Sequence, residues 1–309
     1  TAQTVFAQIA AFAGYGFCRA HAASFALLAY ECLWLRAHHP AEYTCARLNA
    51  QPGGFYPPAI VVGDARRHGV AIRGPDLARS AYDCTLEAGA VRLGLRYVRG
   101  VAAATGAALV AERARGGAYR DLADLCRRAH RLITPEAATA LIAAGACDGW
   151  GEERRALLWA LPAAWRAATG LPLPAAPVAL PLASPAERLD GELWATGIPL
   201  SGHPLALARP ALAARGVTPL ADLAGVPPGR EVTVAGLLVI LQRPPTAHGV
   251  AFATIEDEGE LGNLVLTREV FERCRAGLTA RPIVLATGRV RRRGPVVDLA
   301  VGDARPWPT

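Results

Sequence analysis

The stretch "YVRGVAAATGAALVAERARGGAYRDLADL", with Arg96 just before it, gathers Arg96, Arg99 and Arg113 around the turn Val98-Arg99-Gly100-Val101. Glycine lets a backbone approach a partner closely, and the N–H groups that open the next helix can face a phosphate. This is helix-hairpin-helix chemistry, in which Gly100 and Val101 shape the hairpin and the arginines add charge. A plain packing turn between two helices needs the same residue types, so both readings stand. A second such unit through "ITPEAATALIAAGACDGWG" is less distinctive, because Gly145 and Gly149 also read as helix C-caps.

A second basic group, Arg289, Arg291, Arg292 and Arg293, ends a segment of strand character. Together with Phe252 and Trp307 it supplies what a barrel uses to hold a single nucleic-acid strand: charge for phosphates and aromatic faces for bases. A solvated hairpin tip is the alternative. The acidic run Glu256-Asp257-Glu258-Gly259-Glu260 reads as a solvated turn rather than a metal site. His38 and His39 close a helix at its negative end, His203 reads as a turn residue before Pro204, and His21 by itself reads as structural. No DxD pair, GxSxG elbow or HExxH helix occurs, so the residues present do not spell out a complete active site.

The elements that must position these residues fall into four stretches. Residues 1–75 read as helical: apolar segments at Thr4–Phe12 and Ala20–Ala37, a helix from Pro40, and one through Ala59–His68 capped at Gly69. Residues 76–168 open with a β-hairpin around Glu87-Ala88-Gly89. Short helices follow at Ala102–Arg113, Leu122–Ala129, Pro135–Ala144 and Glu152–Ala168. Residues 169–227 hold the proline-rich "GLPLPAAPVALPLASP" and a short helical segment. Residues 228–309 carry five strands with one helix between the third and fourth, the pattern of a small OB-type Greek-key barrel. The fold expected is multi-domain α+β, mostly helical and then an all-β barrel.

Composition narrows the function. The 309 residues carry a net charge of +7 with pI near 9.3, which suits a polyanionic partner. All 33 basic residues are arginine, so Schiff-base, P-loop and lysine-adenylate chemistry are excluded. The 7 cysteines form no CxxC pair, which argues against zinc and suits reduced thiols in a cytoplasmic setting. No signal peptide or membrane span is legible. With Thr1 first and no methionine, the chain reads as part of a longer one.

"FAGYGFCRAHAASFALLAYECLWLRAHHPAEY", Phe12 to Tyr43, strongly resembles the end of the fingers region of bacterial C-family DNA polymerases. "LNAQPGGFYPPAIVVGDARRHGV" is similar to the error-prone branch of that family, whose members act in damage tolerance and induced mutagenesis. The likeness continues in the family's order through "VRLGLRYVRGV", "LIAAGACDGWG", "DGELWATGIPLSGHPL" and the barrel. A replicative α-subunit fragment is the nearest alternative. A stand-alone scaffold of helix-hairpin-helix and OB modules is a second, and an NAD-dependent ligase fragment is disfavoured by the opening motif.

The resemblance implies residues 1–75 as distal fingers and nucleotidyl transfer from dNTP to a primer-template. Two Mg²⁺ would be held by palm aspartates upstream of this chain, so this part alone should bind no cofactor and be inactive. It places Gly14-Tyr15-Gly16-Phe17, Arg19 and His21 where a triphosphate could be held at a helix N-terminus. Two departures are visible: Ala20 stands where the family often has serine, and Arg36 where it usually has lysine. Replicative relatives bind the sliding clamp through a peptide between the helical region and the barrel. Here Leu171 and Leu173 survive, but Pro174 replaces the aromatic anchor and no glutamine is present. Clamp recruitment would then rest on an accessory mutagenesis protein of Y-family-like type.

Overall fold

The structure, a computed structural model, describes residues 2–13, 19–54, 56–170, 178–280 and 283–307. Two helices open it, α1 (Ala2–Ala13) and α2 (Arg19–His38). α2 has no buried residue: Phe25, Leu27, Leu28, Tyr30 and Leu33 all face outward. Its far end is tied down where the Arg36 guanidinium donates to Asp64 at 2.9 Å and also meets His68. α3 (Pro40–Asn49) starts with proline in its first turn and buries Ala41, Thr44, Cys45 and Leu48, the spacing of one helical face. α4 (Pro58–Arg67) lays Val61, Val62 and Ala65 against that face, and Gly69 follows with φ +77°.

A small sheet comes next: β1 (Ile72–Arg73), β2 (Thr85–Glu87) and β3 (Ala90–Arg92), in the order β1-β3-β2. β2 and β3 form the expected hairpin, and its two turn residues Ala88 and Gly89 both have positive φ. The expected short helices follow as α5 (Ala103–Gly116), α6 (Leu122–Ala129), α7 (Pro135–Ala143) and α8 (Arg154–Ala168). α7 buries Ala137, Ala138, Ala140, Leu141, Ile142 and Ala143, so it is the central rod of this bundle. Small side chains let α8 and α9 (Pro185–Thr196) pack closely against it, and α6 packs on α8. α9 begins with a capping box, Ser184 with Glu187, and ends at Gly197 in the left-handed region.

α10 (Pro204–Ala213) belongs to a different core. Its Leu205 and Leu212 pack with Ala235, Ile283, Leu285 and Trp307 of the barrel. The barrel is β4 (Glu231–Gln242), β5 (Ala251–Glu256), β6 (Leu261–Leu266), α11 (Arg268–Ala280), β7 (Ile283–Arg293) and β8 (Val296–Pro306). It closes in the order β4-β5-β6-β8-β7, with β6 and β8 parallel and the other pairs antiparallel. That is the OB topology read from the sequence. Phe271, Cys274 and Leu278 of α11 plug the space between Val234, Ile255 and Leu264. Among the described residues no helix is long and apolar enough to cross a membrane.

Asp124 of α6 is a buried charge that the bundle strongly stabilises. Burial alone would push the Asp124 carboxyl up. The Arg120 backbone N–H and the guanidinium groups of Arg128, Arg120 and Arg127 more than reverse this and hold it at about 2. A depressed carboxyl stabilises the fold above its unfolded pKa of about 3.9 and loses that contribution as pH falls toward 2. Asp124→Asn should therefore cost about 2 kcal/mol at pH 7 in a urea titration. The gap between variant and wild type should close between about pH 4 and pH 2. A gap that persists unchanged at pH 2 would contradict this account.

Candidate nucleic-acid interface

The hairpin before α5 is tighter than two full helices would make it. A single 3-10 turn, Leu95–Tyr97, stands where the first helix was expected, and Val101 N–H closes back on Val98 carbonyl at 3.1 Å. Val98 and Val101 are buried and anchor the turn in the bundle. Gly100 has φ +79°, and a Cβ there would lie 3.2 Å from the Ala137 Cβ, so both conformation and space call for glycine. The N-cap residue of α5 is Ala102, whose side chain makes no cap, so the first N–H groups of the helix have no side-chain partner. Ala102 and the hairpin line a cleft of about 620 Å³ that they share with the last turn of α9.

The three arginines read from the sequence take different places around this cleft. Arg99 lies on its wall, its guanidinium 5.2 Å from the Trp194 ring centroid and its Nε donating to the Trp194 carbonyl at 3.0 Å. Its backbone N–H bonds Ala195 carbonyl at 2.8 Å. Arg96 reaches the cleft, but its guanidinium is held by Asn49 and Gln51 carbonyls and Asp83. Arg113 points away and donates to Leu77 and Ser80 carbonyls. Arg99 makes one guanidinium bond, against three for Arg96 and two for Arg113, so it keeps the most donors for a ligand, and Trp194, exposed at 43%, is the neighbour that sequence reasoning missed. At the second hairpin Ala144 is the C-cap of α7 and Gly145 follows it in the left-handed region, with the paired bonds Ala146 N–H to Leu141 carbonyl and Gly145 N–H to Ile142 carbonyl. Arg154 fills its mouth by a bidentate bond to Asp148, at 2.9 and 2.7 Å, so this turn is closed from within.

On the barrel the strand register brings distant residues into rows. Phe252 pairs with Val265, Val265 with Ala300, and Ala300 with Arg289. The row from Phe252 to Arg289 crosses three strand spacings, roughly 14 Å measured along the curved barrel wall. The neighbouring row is Thr254, Asn263, Asp298 and Arg291. Arg291 is neutralised there by Asp298 at 3.0 Å, and Arg292 donates to the Ala224 carbonyl at 2.5 Å. Arg289, Arg293 and Phe252 are exposed. Trp307, expected as a stacking face, is instead buried against α10 beneath Arg215. Ala235, Ile283 and Leu285 alternate with the interior Val234, Val284 and Ala286, so α10 and the apolar ring cover the outer face of β4 and β7.

His21 is exposed on α2, its ring edge-on to Phe25 at 4.5 Å, and Arg19 is exposed at the helix start. The turn Gly14-Tyr15-Gly16-Phe17 and the clamp-peptide positions Leu171, Leu173 and Pro174 lie outside the described residues. Among the described residues no three histidine, cysteine or carboxylate side chains converge on a metal-sized point. The residues here therefore do not fit a two-metal centre, and no step of nucleotidyl transfer is assigned to them.

The acidic turn departs from expectation. Glu256 and Asp257 are buried at 5% and 2% exposure, not solvated. Guanidinium groups from helices far away in sequence cover them: Arg67 meets Glu256 at 3.2 Å and Arg209 meets Asp257 at 3.0 Å and Glu258 at 2.5 Å. His203 is not a bare turn residue either, since its Nδ1 accepts the Leu205 N–H and caps α10. Burial pushes the Glu256 carboxyl up and lowers the His203 imidazole to about 4, against the pull of Glu258 and Asp257. The folded state thus resists protonation of His203, so its stability should fall as pH drops from about 6.5 toward 4. Proton NMR of the ring should give a midpoint near 4, and an ordinary midpoint near 6.5 would show that the site is open to water.

The comparisons with known proteins agree with this architecture. A helix-hairpin-helix motif model matches residues 69–157, which carry the cleft and both hairpins. The chain is 40% identical to an error-prone DNA polymerase of Anaeromyxobacter sp. (strain K), over 99% of this chain and 28% of that protein. It is 42% identical to the one from Alkalilimnicola ehrlichii, over 99% of this chain and 30% of the relative. For Pseudomonas fluorescens (strain Pf-5) the figures are 40%, 97% and 31%. The chain spans less than a third of the length of these relatives. With a matching helix-hairpin-helix region, a closed OB barrel and this similarity along nearly its whole length, the chain belongs to the error-prone DNA polymerase family and corresponds to one segment of it.

Proposed function

We propose that this chain is the DNA-handling C-terminal portion of an error-prone, damage-tolerant DNA polymerase of the bacterial cytoplasm. The observation that carries the reading is the cleft at Gly100. An uncapped helix start, a glycine hairpin and Arg99 all line one opening, which is what a duplex phosphate needs. The row from Phe252 to Arg289 is a second contact, for the single-stranded template beyond the duplex. Arg19 and His21 would assist dNTP binding. Two Mg²⁺ would be held by aspartates elsewhere in the longer protein, with recruitment to the clamp left to an accessory mutagenesis protein. The bare apolar face of α2, with Phe25 and Leu33 exposed, suits a surface that the rest of such a protein covers.

Binding to duplex DNA should be sequence-independent and fall steeply with salt. Arg99→Ala should weaken it and reduce the log–log salt slope by about 0.9, the value for one phosphate contact. Arg113→Ala, whose side chain holds two carbonyls, should lower stability without changing the slope. An unchanged slope in folded Arg99→Ala would remove the cleft as a binding site.

The polymerase reading is tested by a chimera in which this chain replaces the matched segment of the Anaeromyxobacter relative. The chimera should extend a primer with Mg²⁺ and dNTP, while this chain alone should not. Within it, His21→Ala should raise the KM for dNTP more than it lowers kcat. A folded chimera without extension, or metal-dependent incorporation by this chain alone, would refute the assignment.

A further inference from the structure

The helical body and the barrel keep separate cores, and the chain crosses between them through Gly197–His203. Ala195 packs in the helical core, whereas Leu205 packs against barrel residues Ile283 and Leu285. The first part of the crossing is pinned to the body. Glu192 accepts from the backbone N–H groups of Leu200 and Ser201 and from the Ser201 hydroxyl, at 3.0, 2.7 and 2.9 Å. Arg66 donates to the Pro199 and Leu200 carbonyls at 2.6 and 2.8 Å. The last part belongs to the barrel unit, since His203 caps α10. Gly202 lies between the two anchors, with φ +154° and open space where a Cβ would point.

A second connection is ionic. Arg67 on α4 meets Glu256 at the end of β5, 3.2 Å apart, with side-chain exposures of 10% and 6%. The pair is poorly completed. Arg67 Nη2, Glu256 Oε2 and His203 Nε2 are buried without a hydrogen-bond partner, His203 Nε2 standing 3.7 Å from Glu256 Oε1. A gap of about 380 Å³ runs beside them, lined by Gly63, Arg67, Ser201, His203, Glu256 and Asp257. A buried ion pair repays its lost hydration only when the geometry is good and the remaining lone pairs and protons are bonded. This contact therefore contributes little net docking energy, while each unit is held by its own apolar core.

We propose that Gly202 is a swivel and that the Arg67–Glu256 pair is a releasable latch, so that the barrel occupies a docked position on α4 and a released one. The released barrel changes the distance between the hairpin cleft at Gly100 and the Phe252–Arg289 row. The inference rests on packing and ion pairing and does not depend on the polymerase reading.

The test uses the 309-residue chain and two variants on opposite sides of the contact. In Gly63→Leu the new Cβ would lie 2.6 Å from Glu256 Oε1 and wedge the junction from the body side. Glu256→Gln removes the charge that compensates Arg67 from the barrel side. Both should keep the wild-type far-UV spectrum, expand in small-angle scattering, and be cut by subtilisin within residues 199–203 about tenfold faster than wild type. Unchanged dimensions and cutting in folded Gly63→Leu would overturn the latch. So would faster cutting spread equally over α7 and the barrel strands, which would mark general unfolding.

Discussion

Glu192 is the carboxylate on which the arrangement of this protein turns. It is almost fully buried, and both of its oxygens are in use. Oε1 accepts from Arg154 at 3.1 Å, and Oε2 takes the backbone and hydroxyl donors of Leu200 and Ser201. Arg154 in turn holds the Asp148 turn and the Ala143 carbonyl at the end of α7. One buried charge thus joins the central helix of the bundle, the second hairpin, α9 and the start of the crossing to the barrel. Charge-assisted bonds in a site of low dielectric hold geometry well once every lone pair is engaged. Removing one partner would leave the others buried and unpaired, so the set forms or fails together.

Arginine does most of the fastening, and this changes how the net charge of +7 reads. Arg66, Arg96, Arg113 and Arg128 donate to backbone carbonyls at helix ends and in connecting segments, those of Pro199, Asn49, Leu77 and Gly117 among them. The guanidinium fork suits this work because its five donors are fixed in a plane and stay protonated when buried. A chain without lysine can place such a group at each loose loop end. The charge available to an outside partner is accordingly smaller than the composition suggests. Part of it lies at Arg99, beside the cleft, and at Arg289 and Arg293 on the barrel, all three exposed.

The cleft and the barrel row lie on units with separate cores, and the Arg67–Glu256 contact between those units is polar while their interiors are apolar. Apolar cores make each unit rigid. A polar, incompletely bonded contact lets the two units shift against each other at small cost. A protein that follows a nucleic acid from paired to unpaired form needs both properties, fixed phosphate contacts within a unit and an adjustable distance between units.

Much of the fold was legible locally. Proline in a first turn marked α3 and α7, Glu87-Ala88-Gly89 marked the hairpin, and the strand and helix order of the last 80 or so residues marked the OB barrel. The glycine hairpin at Gly100 was equally clear, because positive φ is a local requirement. What a charged side chain does is not local. Arg96 and Arg113 looked like cleft residues, yet they bond carbonyls contributed by other segments. Trp194 acquired its place beside Arg99 only when α9 folded back onto the hairpin. The acidic turn at Glu256 read as solvated because its neighbours in sequence are polar, and it is buried because Arg67 and Arg209 arrive from elsewhere in the chain. Sequence alone determined backbone conformation and the order of elements, which depend on near neighbours. Tertiary structure decided which charges are left for a ligand, because that depends on which distant carbonyl or carboxylate reaches each arginine first.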